Sequence, residues 1–321
     1  SGLALELLKK RFPALNFIKL PSYHIRYRFR YPVFNFLWMS PWILWAVLKE
    51  YFIIRKAVDN YSIDAVISDN RLGCFTRKVP CVYMTHQLQF AFRRKWMSGV
   101  AAYLHYCWYK NYDEIWIPDY EVAPKIAGKL SIPIFKGQYR YLGPLSQLSK
   151  VERVIKYDAL AILSGPEPNR TRLEQKLVEK LKAQSGLFLI VRGLPQLPNR
   201  SWQKGNLQFY NFMGPNELSQ AIAQSEFVIC RSGYSSIMDL MYLNKAAVLI
   251  PTPGQPEQAY LAKYHERTPG FTNQTQKAIA ISNLLELNDL ILTQGAKTNN
   301  LAHCTKWLND LVLLKESGTQ K

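Results

Sequence analysis

The sequence predicts an α/β protein built from two doubly wound, Rossmann-like layers that face a common cleft. Three observations carry this prediction. Short apolar runs alternate with helix-sized segments along most of the chain. Short apolar strands separated by helix-sized segments suit a parallel sheet covered on both faces. At 321 residues with 48% hydrophobic content, the chain is long for one average domain and has enough apolar residues for two cores. Global disorder is excluded on the same ground.

Taken in order, ALELLKKRF (residues 4–12) has helical spacing and ALNFIKL (14–20) reads as a strand. The segment PSYHIRYRFRYPVFNFLWMSPWILWAVLKEYFIIRKAVDNY is strongly aromatic, with Trp38, Trp42 and Trp45 close together. Tyr31 to Leu48 carries no charge, but Pro32, Asn35, Ser40 and Pro41 interrupt it, so it falls short of a clean membrane span. Pro41 suits the first turn of a helix running to about Asn60. That helix is expected to be buried or to lie at a membrane surface.

IDAVISDN, VPCVYMTHQ and YDEIWIPDYE are three apolar runs that each end in polar residues. Ligands of such sheets sit beyond the strand C-terminal ends, which places Asp69, Asn70, Thr85, His86, Gln87, Asp119 and Glu121 along one rim. YRYLGPLSQLSK (139–150) reads as a linker, giving a first domain over 1–143 and a second over 144–321.

The second half repeats the plan. YDALAIL, GLFLIV, NLQFYNFM, EFVIC and AAVLIP are strand-like, GPNELSQAIAQS opens with a capping pattern and becomes a helix, and the chain from Gln274 onward reads as mostly helical.

Lys plus Arg number 41 against 23 Asp plus Glu, a formal charge of +18. This excess favours anionic partners: nucleic acid, anionic lipid or phosphorylated substrates. No RNA- or DNA-reading motif is present, so nucleic acid is not the expected partner. The five cysteines (Cys74, Cys81, Cys107, Cys230, Cys304) are odd in number and show no CxxC spacing; they are expected to be reduced thiols, as in a cytoplasmic protein. No secretory signal pattern opens the sequence.

The loops carry the chemistry. In VICRSGYSSIMDL, a strand stops at Arg231-Ser232-Gly233 and a helix begins at Tyr234 or Ser235. Amides of a first helical turn lack intrahelical partners and sit at the positive end of the dipole, so an anion fits there. Glycine admits close approach and serine hydroxyls add donors. Ordinary N-capping would use the same residue types. LSGPEPNR forms a second such loop, with Ser164, Gly165 and Arg170, and PTPGQPEQ a third, with Glu257 and Gln258. Asp239, two turns into the helix after Gly233, can accept from ribose hydroxyls or be a solvated helix residue.

The stretch VICRSGYSSIMDLMYLNKAAVLIPTPGQPEQAYLA resembles the donor-binding half of nucleotide-sugar glycosyltransferases of the two-Rossmann (GT-B) architecture. It is most similar to the family containing the bacterial lipid II-forming N-acetylglucosaminyltransferase (family 28-like). The resemblance implies that Ser232 and Gly233 hold the donor diphosphate, Asp239 the ribose, and Gln258 the sugar, with Glu257 close by; Arg231, Tyr234 and Ser235 beside them are expected to belong to the same donor-binding loop. Arg170 would pair with phosphate. It further implies a UDP-sugar donor, no cofactor, no metal and an inverting transfer. In the family a first strand and a Gly-rich loop ending in His line the acceptor site; this strand is expected to be missing here, which leaves the base open between His86 and Asp69. A structural, hydrogen-bonded role is the alternative for either residue. Two-Rossmann nucleotide-sugar 2-epimerases, and a non-catalytic nucleotide-binding protein, share the plan. Arg26, Arg28 and Arg30 beside the tryptophans suit an anionic bilayer, and hence a lipid-linked or membrane-proximal acceptor, or else solvated arginines flanking a core.

Overall fold

The computed structural model describes residues 3–23, 32–92 and 94–280, together with 306, 308–310, 312 and 313 near the C-terminus. The expected Arg26–Arg28–Arg30 cluster, Cys304 and most of the tail after Gln274 lie outside these residues.

The first lobe opens with α1 (Leu3–Arg11) and α2 (Pro32–Tyr61). The helix expected from Pro41 therefore starts at Pro32, a residue equally suited to a first turn. Pro41 lies inside it and removes one backbone hydrogen bond. ALNFIKL forms no strand: its backbone is irregular and leaves Leu15 and Ile18 exposed. No neighbouring strand among the described residues offers it a ladder.

The sheet of this lobe is parallel, in the order β1 (Val66–Asp69), β2 (Cys81–Met84), β3 (Glu114–Ile117) and β4 (Tyr139–Tyr141). Between β2 and β3 runs α3 (Lys95–Tyr109). Residues 139–141, read from sequence as linker, are thus the fourth strand, with Trp116 opposite Arg140 in register. The core beneath holds Val66, Tyr83, Leu88, Tyr109 and Ile117.

The second lobe runs β5 (Tyr157–Ile162), α4 (Asn169–Leu181), β6 (Phe188–Val191), β7 (Ser201–Lys204), β8 (Leu207–Tyr210), α5 (Pro215–Ala223), β9 (Ser225–Cys230), α6 (Tyr234–Tyr242), β10 (Ala247–Leu249), α7 (Pro256–His265) and β11 (Phe271–Asn273). Its seven strands lie in the order β11-β10-β9-β5-β6-β8-β7, parallel except for β7. Both faces are covered, one by a cluster around Leu160, Val228 and Ile237, the other by Leu173, Leu177, Phe188 and Ile229. The capping pattern before α5 forms as expected: Glu217 Oε2 accepts the Gly214 amide at 2.8 Å.

From β5 the chain builds outward through β6 and β8 on one side, and through β9, β10 and β11 on the other. The switch point lies between β5 and β9, where an open α/β sheet leaves its ligand crevice.

A loop of the first lobe docks on the second. The buried Asp119 carboxylate accepts the amides of Tyr120, Ile126 and Ala127 and so shapes the loop. Ile126 O accepts His265 Nε2–H at 2.7 Å, Tyr260 Oη accepts the Lys129 amide at 2.7 Å, and Pro118 O accepts the Tyr234 hydroxyl. Asp119 is therefore a loop-shaping residue, in place of the ligand-facing role its rim position suggested.

Candidate active site

Three strand-end loops meet at the switch point because their strands are neighbours: β10, β9 and β5 lie side by side. The loop after β9 is Arg231-Ser232-Gly233, and Gly233 caps α6 in extended conformation (φ −73°, ψ 144°). The amides of Ser232 and Gly233 donate to no described residue, and those opening α6 have no intrahelical partner. Small residues allow this. A Cβ on Gly233 would meet only Gln258 Nε2 and Ser236 Oγ, each at 4.0 Å, so the space before the amides is open.

Gln258 is fixed for a donor's role. Its Oε1 accepts the Thr252 amide at 2.8 Å, which leaves Nε2 directed toward Gly233. Its backbone carbonyl accepts the Ser232 hydroxyl at 2.8 Å, so Ser232 ties the α6 loop to α7. Thr252 Oγ1 is buried without a partner and lies 3.6 Å from where a Cβ on Gly165 would sit. Gly165 has φ +99°, a conformation glycine takes without strain. Ser164 beside it is exposed at the end of β5, and Ser235 is exposed in the first turn of α6. Gly165, Thr252, Gln258 and Gly233 thus form one continuous wall of hydrogen-bonding groups. Thr252 was missed in the sequence; its place between Pro251 and Pro253, next to the Gly254 turn, was the only signal.

Asp239 lies on α6 with its Oδ1 accepting Ser146 Oγ–H at 2.6 Å from the segment joining the lobes. Burial raises its carboxyl above the usual range, and the Ser146 bond opposes this. A partly buried carboxylate with a single donor has acceptor capacity left for a diol.

Two arginines depart from expectation. Arg231 is 1% exposed, and its guanidinium donates to Asn169 O and Gln276 Oε1, both at 2.9 Å, and to the carbonyls of Ile250 and Pro251. Burial lowers it to about 10. It staples the loops after β5 and β10 from beneath and does not face the open pocket. Arg170 donates to Glu167 Oε1 and Glu174 Oε2, both at 2.6 Å, and to Arg192 O. Its fork is committed to these acceptors, which leaves it without the geometry for the phosphate pairing expected of it.

The first lobe brings its own rim to this pocket. His86 lies flat on Tyr234, ring centroids 3.8 Å apart and planes 4° from parallel, with Nε2 3.0 Å from Glu257 Oε1. Asp69 ends β1; burial raises its carboxyl while nearby His86 opposes the shift. Behind them a polar chain supports the rim. Thr85 Oγ1 and Tyr83 Oη both donate to Asn70 Oδ1, so His105 Nε2 carries the hydrogen it shares with Tyr83, 2.9 Å away. Burial lowers His105 to about 4. Neither Tyr83 nor His105 stood out in the sequence, where Tyr83 reads as part of the apolar run VPCVYMTHQ.

Comparison with known proteins agrees with this fold. Residues 169–312 match the family model of the glycosyltransferase family 28 C-terminal domain. No curated protein matches the chain. Among solved structures, a UDP-glucosyltransferase from Polygonum tinctorium is similar at TM-score 0.60 and 12% identity, over 96% of this chain and 89% of that one. MurG of Acinetobacter baumannii is similar at TM-score 0.56 and 14% identity, over 97% and 89%. The glycosyltransferase of kitacinnamycin is similar at TM-score 0.57 and 12% identity, over 90% and 83%. At these identities the likeness is one of fold. The chain thus has the GT-B fold of glycosyltransferases, and its second lobe is similar to the glycosyltransferase family 28 C-terminal domain.

Proposed function

We propose that the protein transfers a sugar from a nucleoside diphosphate-sugar, with uridine as the nucleoside, to an acceptor hydroxyl, without a metal and with inversion. The observation that carries this reading is the convergence at Gly233 of unpartnered amides, the α6 N-terminus and the Gln258 amide, with Asp239 on the same helix. Negative charge grows on the diphosphate as the sugar leaves, and donors already oriented toward it stabilise the transition state more than the ground state. The acceptor hydroxyl must lose a proton; His86, at the cleft, is the base, with Asp69 the alternative.

The acceptor is proposed to be lipid-linked and the protein peripheral at the inner face of the membrane. On α2, Trp42, Trp45 and Phe52 are exposed, with Lys49 Nζ 4.7 Å over the Trp45 ring, and on α3 Trp96, Val100 and Tyr103 are exposed. Exposed aromatic stripes with lysines suit an anionic interface. No helix among the described residues is long and apolar enough to cross a membrane. Sedimentation with vesicles, with and without anionic lipid, tests this: binding only to anionic vesicles is expected, and no binding to either would refute it.

The test of the donor site is a thermal-shift screen of UDP, GDP and TDP. A ligand that prefers the folded state raises the melting point by mass action, about 2.7 kcal/mol at a hundredfold excess over Kd. UDP is expected to give the largest shift; no shift with any of the three would end the reading.

A further inference from the structure

We infer that Glu257 is the positioning residue for His86, so that the base of the transfer is assembled across the two lobes. The inference rests on the sugar-transfer reading above. His86 comes from the loop after β2 in the first lobe, and Glu257 from the first turn of α7 in the second. The Tyr234 stack fixes the plane of the imidazole, and the carboxylate 3.0 Å from Nε2 fixes its rotation within that plane.

A carboxylate only accepts, so Nε2 carries the hydrogen and Nδ1 keeps its lone pair. Nδ1 has no partner among the described residues. The other ionisable groups around the ring are Asp69 from β1 and Tyr234 from α6, whose hydroxyl is committed to Pro118 O.

The two neighbours of His86 are also neighbours of the proposed diphosphate site. Tyr234 opens the helix whose amides face that pocket, and Glu257 precedes Gln258, whose Nε2 faces Gly233. In the transfer, the acceptor O–H gives its proton to His86 Nδ1 and the oxygen bonds to the anomeric carbon. The bond from that carbon to the diphosphate breaks, and its electron pair leaves with the nucleoside diphosphate. Glu257 then faces the imidazolium just formed. The base is therefore complete only where the lobes sit as they do here, beside the donor-binding wall.

Two measurements on the full chain test this. The first is 15N NMR of the protein labelled at its five histidines. His86 is expected as a single Nε2–H tautomer, retained in Glu257→Gln, which still accepts, and mixed in Glu257→Ala. A tautomer unchanged in Glu257→Ala would overturn the inference. The second is a double-mutant cycle read as UDP release from UDP-N-acetylglucosamine with water as acceptor. His86→Ala is expected to cost about 10²–10⁴-fold, as for a general base. Glu257→Ala should lower kcat about 10²-fold with donor KM unchanged within twofold, and cost nothing further in the His86→Ala background, as for residues acting as one unit. Multiplying effects, or a raised KM with kcat intact, would make Glu257 a sugar ligand and overturn the inference alone. A His86→Ala enzyme at full rate would remove the base itself, and the inference with it.

Discussion

Replacing Gly233 with Ala separates binding from folding at the proposed diphosphate site. Gly233 has ordinary dihedrals, and the new methyl would meet only Gln258 Nε2 and Ser236 Oγ at 4.0 Å. Alanine is a poorer N-cap than glycine, but it also reduces the entropy of the unfolded chain by about 0.4–1 kcal/mol, so the two effects nearly offset. The melting temperature should move by less than about 3 °C, the shift for roughly 1 kcal/mol in a chain of this size class. The methyl nevertheless stands in the space before the free amides. Losing one charge-assisted hydrogen bond to the diphosphate costs about 1.5–3 kcal/mol, or roughly ten- to hundredfold in Kd. Calorimetric titration of UDP into both proteins reads this directly. Equal affinity with a folded variant would show that the anion does not sit at this helix end. Gly193→Ala is the opposite case: φ is +67° and the Cβ would lie 2.1 Å from Leu163 O, so folding should suffer.

Other outcomes follow from buried charges. Asp239→Asn should raise the unliganded melting point and weaken UDP binding about tenfold or more, because burial already disfavours that carboxylate and one ribose contact is lost. The sign is set by the raised carboxyl: it binds its proton more tightly folded than unfolded, so its contribution to stability falls as pH rises through the folded value, a dependence that Asn should remove from melting curves. His105, lowered to about 4, acts in the other direction. Its stability is present above 6.5 and lost as pH falls from 6.5 toward 4, by at most about 3 kcal/mol, and His105→Asn should flatten that slope. Glu50 is fully buried and accepts the Tyr23 hydroxyl at 2.7 Å, Arg71 Nε at 2.8 Å and the Gly73 amide at 3.1 Å. Glu50→Ala should cost about 3–5 kcal/mol in denaturant unfolding, since it strands a partly buried guanidinium; a loss under 1 kcal/mol would contradict the network.

How much of this the residues announced differs between the lobes. In the second lobe the strands β5, β6, β9 and β10 are mostly apolar and the loops carry Ser, Gly and Pro, so strand ends and anion-facing loops could both be read. Arg231 and Arg170 could not be read correctly, because spacing places a guanidinium near a loop but does not say that carbonyls and carboxylates will claim its donors first. In the first lobe, β4 was hidden: its three residues Tyr139-Arg140-Tyr141 carry a charge that looks solvated until Glu114 on β3 is seen pairing with it, at 3.0 Å. ALNFIKL failed the other way, with strand-like composition and no strand beside it. The contacts across the cleft, His86 on Tyr234 and Glu257, join residues 148 and 171 positions apart and left no local trace in the sequence.

The most direct test of the central claim is a crystal structure of the full chain with UDP. The account places the diphosphate oxygens within about 3.1 Å of amide nitrogens at Gly233, Tyr234 and Ser235, with the ribose at Asp239. A nucleotide seated elsewhere, with those amides facing only water, would contradict it.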